Sequence, residues 1–395
     1  MADSERHKVT LTDVAFGGDC IARIDNQVIF ASYGLPGEEV IVELNQNKKD
    51  YRRGRVVEVI TPSPARVQPR CPLFGQCGGC RWQHIDYQAQ IEMKRKIVAD
   101  QLKRIGGFGD DIEINPTLGA ENPWNYRNHA RFSFRRSTGK LGFTVEGTHR
   151  FLEVPVCHIM HPAINEVLAS LQGKLHQRLH QVAVRYGVNT GQLLINPKLD
   201  VADLPYPTGQ EYLEEELLGR RFRIAAASFF QVNTPQAERM INYVFDQLKL
   251  GQNDTLVDIY CGVGTFGLLT AEKVAKVIGI EDSAAALKDA HYNAQGLDNV
   301  VFVRGAAEDI LVTLQEHVDA AIIDPPRVGC KPEVIEAMRR LNPNKIVYVS
   351  CDPATLARDL RLLCADDRYR IVDIQPIDMF PHTYHIETVV TLESL

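Results

Sequence analysis

The chain has 395 residues, 45% hydrophobic and 24% charged, with a net charge of −6. These values are ordinary for a soluble globular protein of two or three domains, and they exclude a globally basic nucleic-acid binder, so any RNA or DNA contact must rest on local patches. No apolar run reaches the roughly 18 residues of a membrane span, and Met1 to His7 lacks the apolar stretch of a signal peptide, which together predict a cytoplasmic protein.

Residues 8–60 read as short strands: Val28-Ile29-Phe30, Val40 to Leu44 and Arg55 to Ile60, interrupted at Gly17-Gly18, Gly34, Pro36-Gly37 and Asn45 to Lys49. Close spacing of this kind predicts a small β-barrel, followed by a linker at Thr61 to Pro64. A basic run from Lys48 to Arg53 falls on a barrel loop. Tyr87 to Ile105 is predicted as a helix with Ile91, Val98, Leu102 and Ile105 on one face, ended by Gly106-Gly107. Residues 110–225 mix strand and helix without a clear period. From about residue 226 strands and helices alternate. Thr234 is expected to cap a helix whose first residue is Pro235, followed by strand 255–260, helix 266–275, strand 277–281, helix 284–295, strands 318–323 and 345–349, helix 354–364 and final strands at 371–377 and 384–392. Alternation means a doubly wound parallel sheet.

Nine cysteines without an export signal argue for metal binding or catalysis rather than a disulfide framework. Cys71, Cys77 and Cys80 stand close together among Gly75, Gly78 and Gly79, which suits a soft metal. Cys157 is the candidate fourth ligand. Four thiolates are compatible with zinc or with a [4Fe–4S] cluster.

Asp258-Ile259-Tyr260 leads into Cys261-Gly262-Val263-Gly264-Thr265-Phe266-Gly267. Glycines there permit a tight turn and close approach of a ligand to a helix N-terminus. Glu281, about 20 residues on, is placed to accept hydrogen bonds from ribose hydroxyls. A strand ending in Asp324-Pro325-Pro326-Arg327 and another ending in Ser350-Cys351-Asp352-Pro353 favour S-adenosylmethionine over a dinucleotide. Cys261 reads as a packed core residue.

Cys351 at a strand–helix junction is a candidate thiolate, favoured by the helix end and opposed by Asp352. A thiolate beside a methyl donor suggests attack on C6 of a pyrimidine, which makes C5 nucleophilic toward a methyl group. The C5 proton must then leave to a base, for which Glu387 is the candidate; a solvated strand glutamate is its competing reading. Trp124 to Arg131 and Arg135-Arg136 form a second basic, aromatic patch suited to phosphates and bases. Phe229-Phe230-Gln231-Val232-Asn233 reads as a base-stacking ring and a cofactor-binding amide, or as core.

Taken in order, Cys71/Cys77/Cys80, Gln231-Val232-Asn233, Asp258 to Gly267, Asp324 to Arg327, Ser350 to Pro353 and the Glu387 strand resemble the iron–sulfur RNA uracil-C5 methyltransferases of the 23S rRNA type. Residues 8–62 resemble the TRAM domain that many members carry. The resemblance implies an N-terminal TRAM β-barrel (1–63), an α+β iron–sulfur middle domain (64–225) and a Rossmann-like class I S-adenosylmethionine-dependent catalytic domain (226–395). It implies Cys351 as nucleophile, Glu387 as base, and cofactor contacts from Gln231, Tyr260, Thr265, Glu281 and Asp324. It assigns Cys71, Cys77, Cys80 and Cys157 to a [4Fe–4S] cluster. The implied substrate is RNA, 23S rRNA first and tRNA as the alternative, acted on by a monomer. Some members have asparagine where Thr265 and Ala306 stand, so no cofactor role is carried to Ala306. Asparagine is common at the position of Asp352, and the extra charge bears on thiolate formation. Remoter readings are a cytosine-C5 methyltransferase and a non-catalytic iron–sulfur RNA-binding protein.

Overall fold

The computed structural model describes residues 5–176 and 179–395. Strands Arg6–Thr10, Asp13–Val14, Cys20–Ile24, Gln27–Ser32, Glu39–Asn47 and Tyr51–Thr61 form one N-terminal sheet. Leu11, Ala22, Ile29, Val40 and Val42 fill its core. The strands at Arg6–Thr10 and Cys20–Ile24 escape the sequence pattern, because their buried positions are few and small (Val9, Cys20 and Ala22). Lys48 to Asp50 lie in the turn as expected, whereas Arg52 and Arg53 belong to the following strand. The Thr61–Pro64 segment is tied down, with the Ser63 N–H donating to the buried Glu38 at 3.1 Å.

The middle of the chain builds an antiparallel sheet from His129–Arg135, Lys140–Thr144, Phe151–Glu153, Gln181–Tyr186 and Leu193–Asn196. Helix Pro162–Leu171 lays Ile164, Val167, Leu168 and Leu171 into its core beside Phe132 and Val182. A hairpin, Tyr212–Leu217 with Arg220–Ala225, instead packs Leu213, Leu217, Phe222 and Ile224 against the C-terminal core.

Helix Tyr87–Gln101 begins at Asp86, whose carboxylate accepts the N–H groups of Gln88 and Ala89, and passes into a π-turn over Leu102–Gly106. Of the expected stripe, Val98 and Leu102 are fully buried and Ile91 and Ile105 only half-buried. Polar Gln90 and Lys94 are fully buried as well. The Lys94 ammonium donates to Asp378 Oδ1 at 2.6 Å and to the Phe380 carbonyl at 3.2 Å. Tyr87 donates to the other Asp378 oxygen at 2.9 Å. Gln90 receives the His382 N–H at 2.9 Å and donates to the carbonyls of Trp82 and Ile85. This polar face is therefore an inner one, docked on the loop 378–385 of the C-terminal unit.

That unit holds seven strands, numbered here β1 (Thr255–Ile259), β2 (Lys276–Glu281), β3 (Val300–Arg304), β4 (Ala320–Ile323), β5 (Lys345–Ser350), β6 (Tyr369–Ile377) and β7 (Glu387–Ser394). Their order is β3-β2-β1-β4-β5-β7-β6. The first five run parallel, and β7 is antiparallel to both β5 and β6. Near-continuous apolar runs explain β1, β4 and β5, which are covered on both faces. β3 is absent from the expected elements; it is an edge strand whose Val301 is exposed. Helices Ala307–Thr313 and Pro332–Leu341 are absent from them too, although the stripe Val334, Ile335, Met338 marks the latter. The helix entering the sheet spans Thr234–Leu248, and Asn233 rather than Thr234 caps it, accepting the Gln236 N–H at 3.5 Å. Removing one partner of a buried ion pair leaves a charge without compensation. Lys94→Met should therefore lower stability by about 3–5 kcal/mol, and adding Asp378→Asn should recover part of the loss, both read by urea unfolding followed at Trp82 and Trp124.

Candidate active site

The C-terminal edge of the parallel strands gathers most of the expected residues. After β1 the chain turns through Tyr260 at φ 65°, Gly262 at 57° and Gly264 at 87°, and a helix starts at Thr265. Left-handed backbone at a non-glycine residue costs on the order of 1–3 kcal/mol and persists where surroundings enforce it. Here the Cys261 N–H is bonded to the Ile280 carbonyl at 3.0 Å, and Cys261 itself is buried as expected of a packed residue. A Cβ on Gly267 would stand 2.9 Å from Val277 Cγ1 and 3.0 Å from Asp258 Oδ2, so this close helix–strand approach needs glycine.

Four carboxylates line this edge. Asp258 takes the Gly267 N–H on Oδ2 at 2.8 Å, while its buried Oδ1 has no partner. Burial, reinforced by Glu281, pushes Asp258 up to about 7. Glu281 accepts the N–H groups of Gly262 at 3.0 Å and Ser283 at 2.7 Å. Asp324 follows β4, its N–H donating to the Ile259 carbonyl at 3.3 Å, and burial with the nearby Asp258 raises it to about 7. Glu387 opens β7. It is 5% exposed, which removes the solvated reading, and burial and Asp324 hold its carboxyl well above the usual range, with Arg327 opposing.

Register sets the pair at the centre. Ser350 of β5 lies opposite Thr388 of β7, so the next residues along, Cys351 and Glu387, meet at the sheet edge. Glu387 is the largest charge acting on the Cys351 thiol. The thiol is pushed up to about 12 by burial, then by Glu387 and Asp324, with Arg327 opposing and Asp352 a smaller influence. The expectation that the helix end favours the thiolate is thus corrected. Asp352 spends the first helical N–H groups on itself, accepting from Ala354 and Thr355 at 3.0 Å each, and two further carboxylates face the sulfur.

Gln231 lies on the loop into helix Thr234–Leu248, its carbonyl accepting from Asn128 Nδ2 at 3.1 Å. Asn233 ties that loop to the end of β6 through the Met379 carbonyl at 3.1 Å. The two neighbouring rings divide the alternatives between them: Phe230 is core, whereas Phe229 is 74% exposed.

Cys71, Cys77, Cys80 and Cys157 all line one cavity of about 640 Å³ between the middle sheet and the C-terminal unit. Burial raises Cys80 to about 12, and the other three sulfurs add to the rise. Cys157 is raised to about 11 by burial, Cys77 and Cys71, against N–H groups from Ile159 and Met160 that favour its thiolate. Asn165 holds that loop by bonds to the Cys157 N–H at 2.9 Å and carbonyl at 3.0 Å. Among the described residues, no group of three or more His, Cys, Asp or Glu side chains converges closely enough to hold a single metal ion.

The expected aromatic, basic patch separates by role. Tyr126 is buried, its hydroxyl on the Pro381 carbonyl at 3.1 Å, and Trp124 stacks on His382 with ring centres 3.7 Å apart. Arg127, His129 and Arg131 line the cavity, joined by Arg185 and His385, which no sequence motif singles out. His129 is lowered to about 3 by burial and the three arginines, and His385 to about 4 by burial, Arg327, Lys94 and Arg127, so both rings are neutral near pH 7. Arg185 sits in a stretch without period, and no local signal marks it.

The sheet order with its single antiparallel strand, and the glycine turn after β1, define a class I S-adenosylmethionine-dependent methyltransferase behind an N-terminal TRAM domain. Residues 206–395 match the tRNA (uracil-5-)-methyltransferase family and residues 5–57 the TRAM domain. An uncharacterized RNA methyltransferase of Thermosynechococcus vestitus is 35% identical over 98% of this chain and 98% of its own. One from Halalkalibacterium halodurans is 34% identical over 98% and 96%. The crystal structure of Pyrococcus abyssi tRNA (uracil-54, C5)-methyltransferase with S-adenosyl-L-homocysteine superposes with a TM-score of 0.75 at 26% identity, covering 98% of this chain and 100% of that one. The chain belongs to the RNA uracil-5-methyltransferase family and is an RNA methyltransferase. Among the described residues no helix is long and apolar enough to cross a membrane.

A thiol held near 12 reacts as thiolate only in a small fraction at neutral pH, and that fraction grows with pH. Alkylation of Cys351 by iodoacetamide, followed peptide by peptide in mass spectrometry, should still be rising at pH 10. Glu387→Gln removes the largest neighbouring charge and should move the curve to lower pH.

Proposed function

We propose that the protein methylates C5 of a uridine in RNA, with Cys351 as nucleophile and Glu387 as the base. The observation that carries this is the register that sets Cys351 against buried Glu387 on the edge that also bears Asp258, Glu281 and Asp324. A row of carboxylates that burial and mutual repulsion disfavour, one with an unpartnered buried oxygen, suits a cationic ligand. S-adenosylmethionine is such a ligand, and it supplies an electrophilic methyl on a sulfonium. Tyr260, Thr265, Glu281, Asp324 and Gln231 are the residues proposed to hold it, Glu281 at the ribose hydroxyls.

Cys351, its proton lost to solvent, adds as thiolate to C6 of the uracil, and the C5–C6 electron pair moves onto C5. C5 forms its bond to the methyl carbon as the carbon–sulfonium bond breaks and its electrons return to the donor sulfur. Glu387 takes the C5 proton, the C5–C6 double bond re-forms, and the Cys351–C6 bond breaks to return the thiolate. Attack on the ring face requires the base to leave its stack.

Cys71, Cys77, Cys80 and Cys157 are proposed to hold a [4Fe–4S] cluster. Four partly buried cysteines that line one cavity suit a thiolate-ligated cluster, and N–H groups directed at Cys157 suit its thiolate. It would tie the 71–80 loop to the middle sheet. The proposed target is 23S rRNA, on the motif order and the N-terminal TRAM domain. The second reading, a tRNA target, is supported by the likeness to the Pyrococcus abyssi tRNA enzyme, and mapping 5-methyluridine in both RNAs, from cells with and without the protein, decides between them. The division into 1–63, 64–225 and 226–395 is kept as the functional one.

RNA carrying 5-fluorouridine should form an adduct that survives denaturant, since fluorine cannot leave C5 as a proton does. Absence of that adduct, or its persistence in Cys351→Ala, would overturn the reading. Glu387→Ala should transfer methyl yet accumulate the covalent complex, with free turnover down by at least about 100-fold, the scale of a general base. Protein purified without oxygen should contain about four iron and four sulfide per chain, as the cluster requires; zinc without iron would remove the cluster.

A further inference from the structure

The cavity carries a feature that methyl transfer leaves unused. Arg185 is 4% exposed and lies opposite His129 in the middle sheet. Its Nη2 donates to the Ser228 carbonyl at 2.9 Å, and its Nη1, also buried, has no partner among the described residues. Arg131, one pleat away on the neighbouring strand, is exposed and lines the same cavity. The nearby carboxylate, Asp289, is already engaged by Arg223 at 2.9 Å, the Ala225 N–H at 2.7 Å and the Ser228 hydroxyl at 2.9 Å. A buried donor left unmade is costly, and two guanidiniums on one wall repel each other. Both costs disappear when an anion with two oxygens enters. Immediately after Ser228, the exposed Phe229 ring lines the same cavity. A cationic fork next to an open aromatic face matches the phosphate and base of one nucleotide.

We propose that Arg185 and Arg131 form a binding site for a phosphodiester of the RNA, with a neighbouring base stacked on Phe229. The proposal rests on RNA being the substrate, and it adds a specific anchor apart from the methyl-transfer centre at Cys351.

The test measures binding of a fluorescent oligouridylate to the full-length protein, as purified without oxygen, between about 50 and 200 mM salt. Removing one cation that neutralises a phosphate of a single strand should reduce the slope of log affinity against log salt by about 0.7. Arg185→Gln and Arg131→Gln should each show that reduction with about tenfold weaker binding at low salt, and Arg185→Lys should restore most of the slope. Phe229→Ala should weaken binding by about tenfold or more with the slope unchanged, as expected when a base no longer has a ring to stack on. Arg131 is exposed, so its variant tests the site without disturbing the core. An unchanged slope in both arginine variants overturns the proposal, as does wild-type protein without affinity for oligouridylate. Loss of iron from Arg185→Gln with an unchanged slope assigns the arginine to the cluster and equally overturns it. Oligouridylate binding does not need methyl transfer. Reduced slopes in protein that forms no 5-fluorouridine adduct would therefore remove the methylation reading and leave the site standing.

Discussion

The active edge depends on one strand running the wrong way. β7 inserts antiparallel between β5 and β6, so its first residue lies where the parallel strands end. Glu387 is that residue, and the Ser350–Thr388 pairing brings it to Cys351. Side chains alternate along a strand, so a shift of one position would turn Glu387 to the opposite face and force Val389 and Leu392 to exchange between the two differently shaped cores they fill. Apolar burial on both faces of β7 therefore specifies the register, and the register positions the chemistry.

A second constraint holds the approach to β7. Loop 378–385 anchors Met379 and Phe380 in the C-terminal core, and buried polar groups on the Tyr87–Gln101 helix fix it from the other side. Lys94 and Tyr87 share the Asp378 carboxylate, and Gln90 clamps His382. Such pairs add little net stability compared with apolar packing, but they penalise every alternative arrangement of the loop. The helix also contributes Ile97, Val98 and Leu102 to the core that contains β4 and β5. Residues 82–106 thus pack as part of the platform beneath the candidate site.

Charge at the site is arranged for a ligand. Asp258, Asp324 and Glu387 resist ionisation because burial and their neighbours penalise the anions, and two of them, Glu387 and Asp324, hold the Cys351 thiol up. A cation arriving among them reverses the balance for all four at once. In the cysteine-lined cavity the sign is opposite, with Arg127, Arg131 and Arg185 around neutral His129.

Much of this is written locally. The glycine turn after β1, the Asp352-Pro353 helix start, the cysteine spacing and the alternation of the C-terminal half all depend on short-range sterics and burial, which neighbouring residues determine. Edge strand β3 leaves too weak a pattern to be read. The buried face of Gln90 and Lys94 looks like a solvent face, since its partners stand nearly 300 positions away. Arg185 has no local mark at all: its isolation comes from Asp289 being bonded elsewhere and from the strand pairing that turns it into the cavity. Sequence alone determined which residues are chemically able to act and which turns present them. Only the tertiary structure decided that Glu387 is buried against Cys351 and that the thiol is held up rather than down, because burial and through-space charge depend on which distant segments pack together.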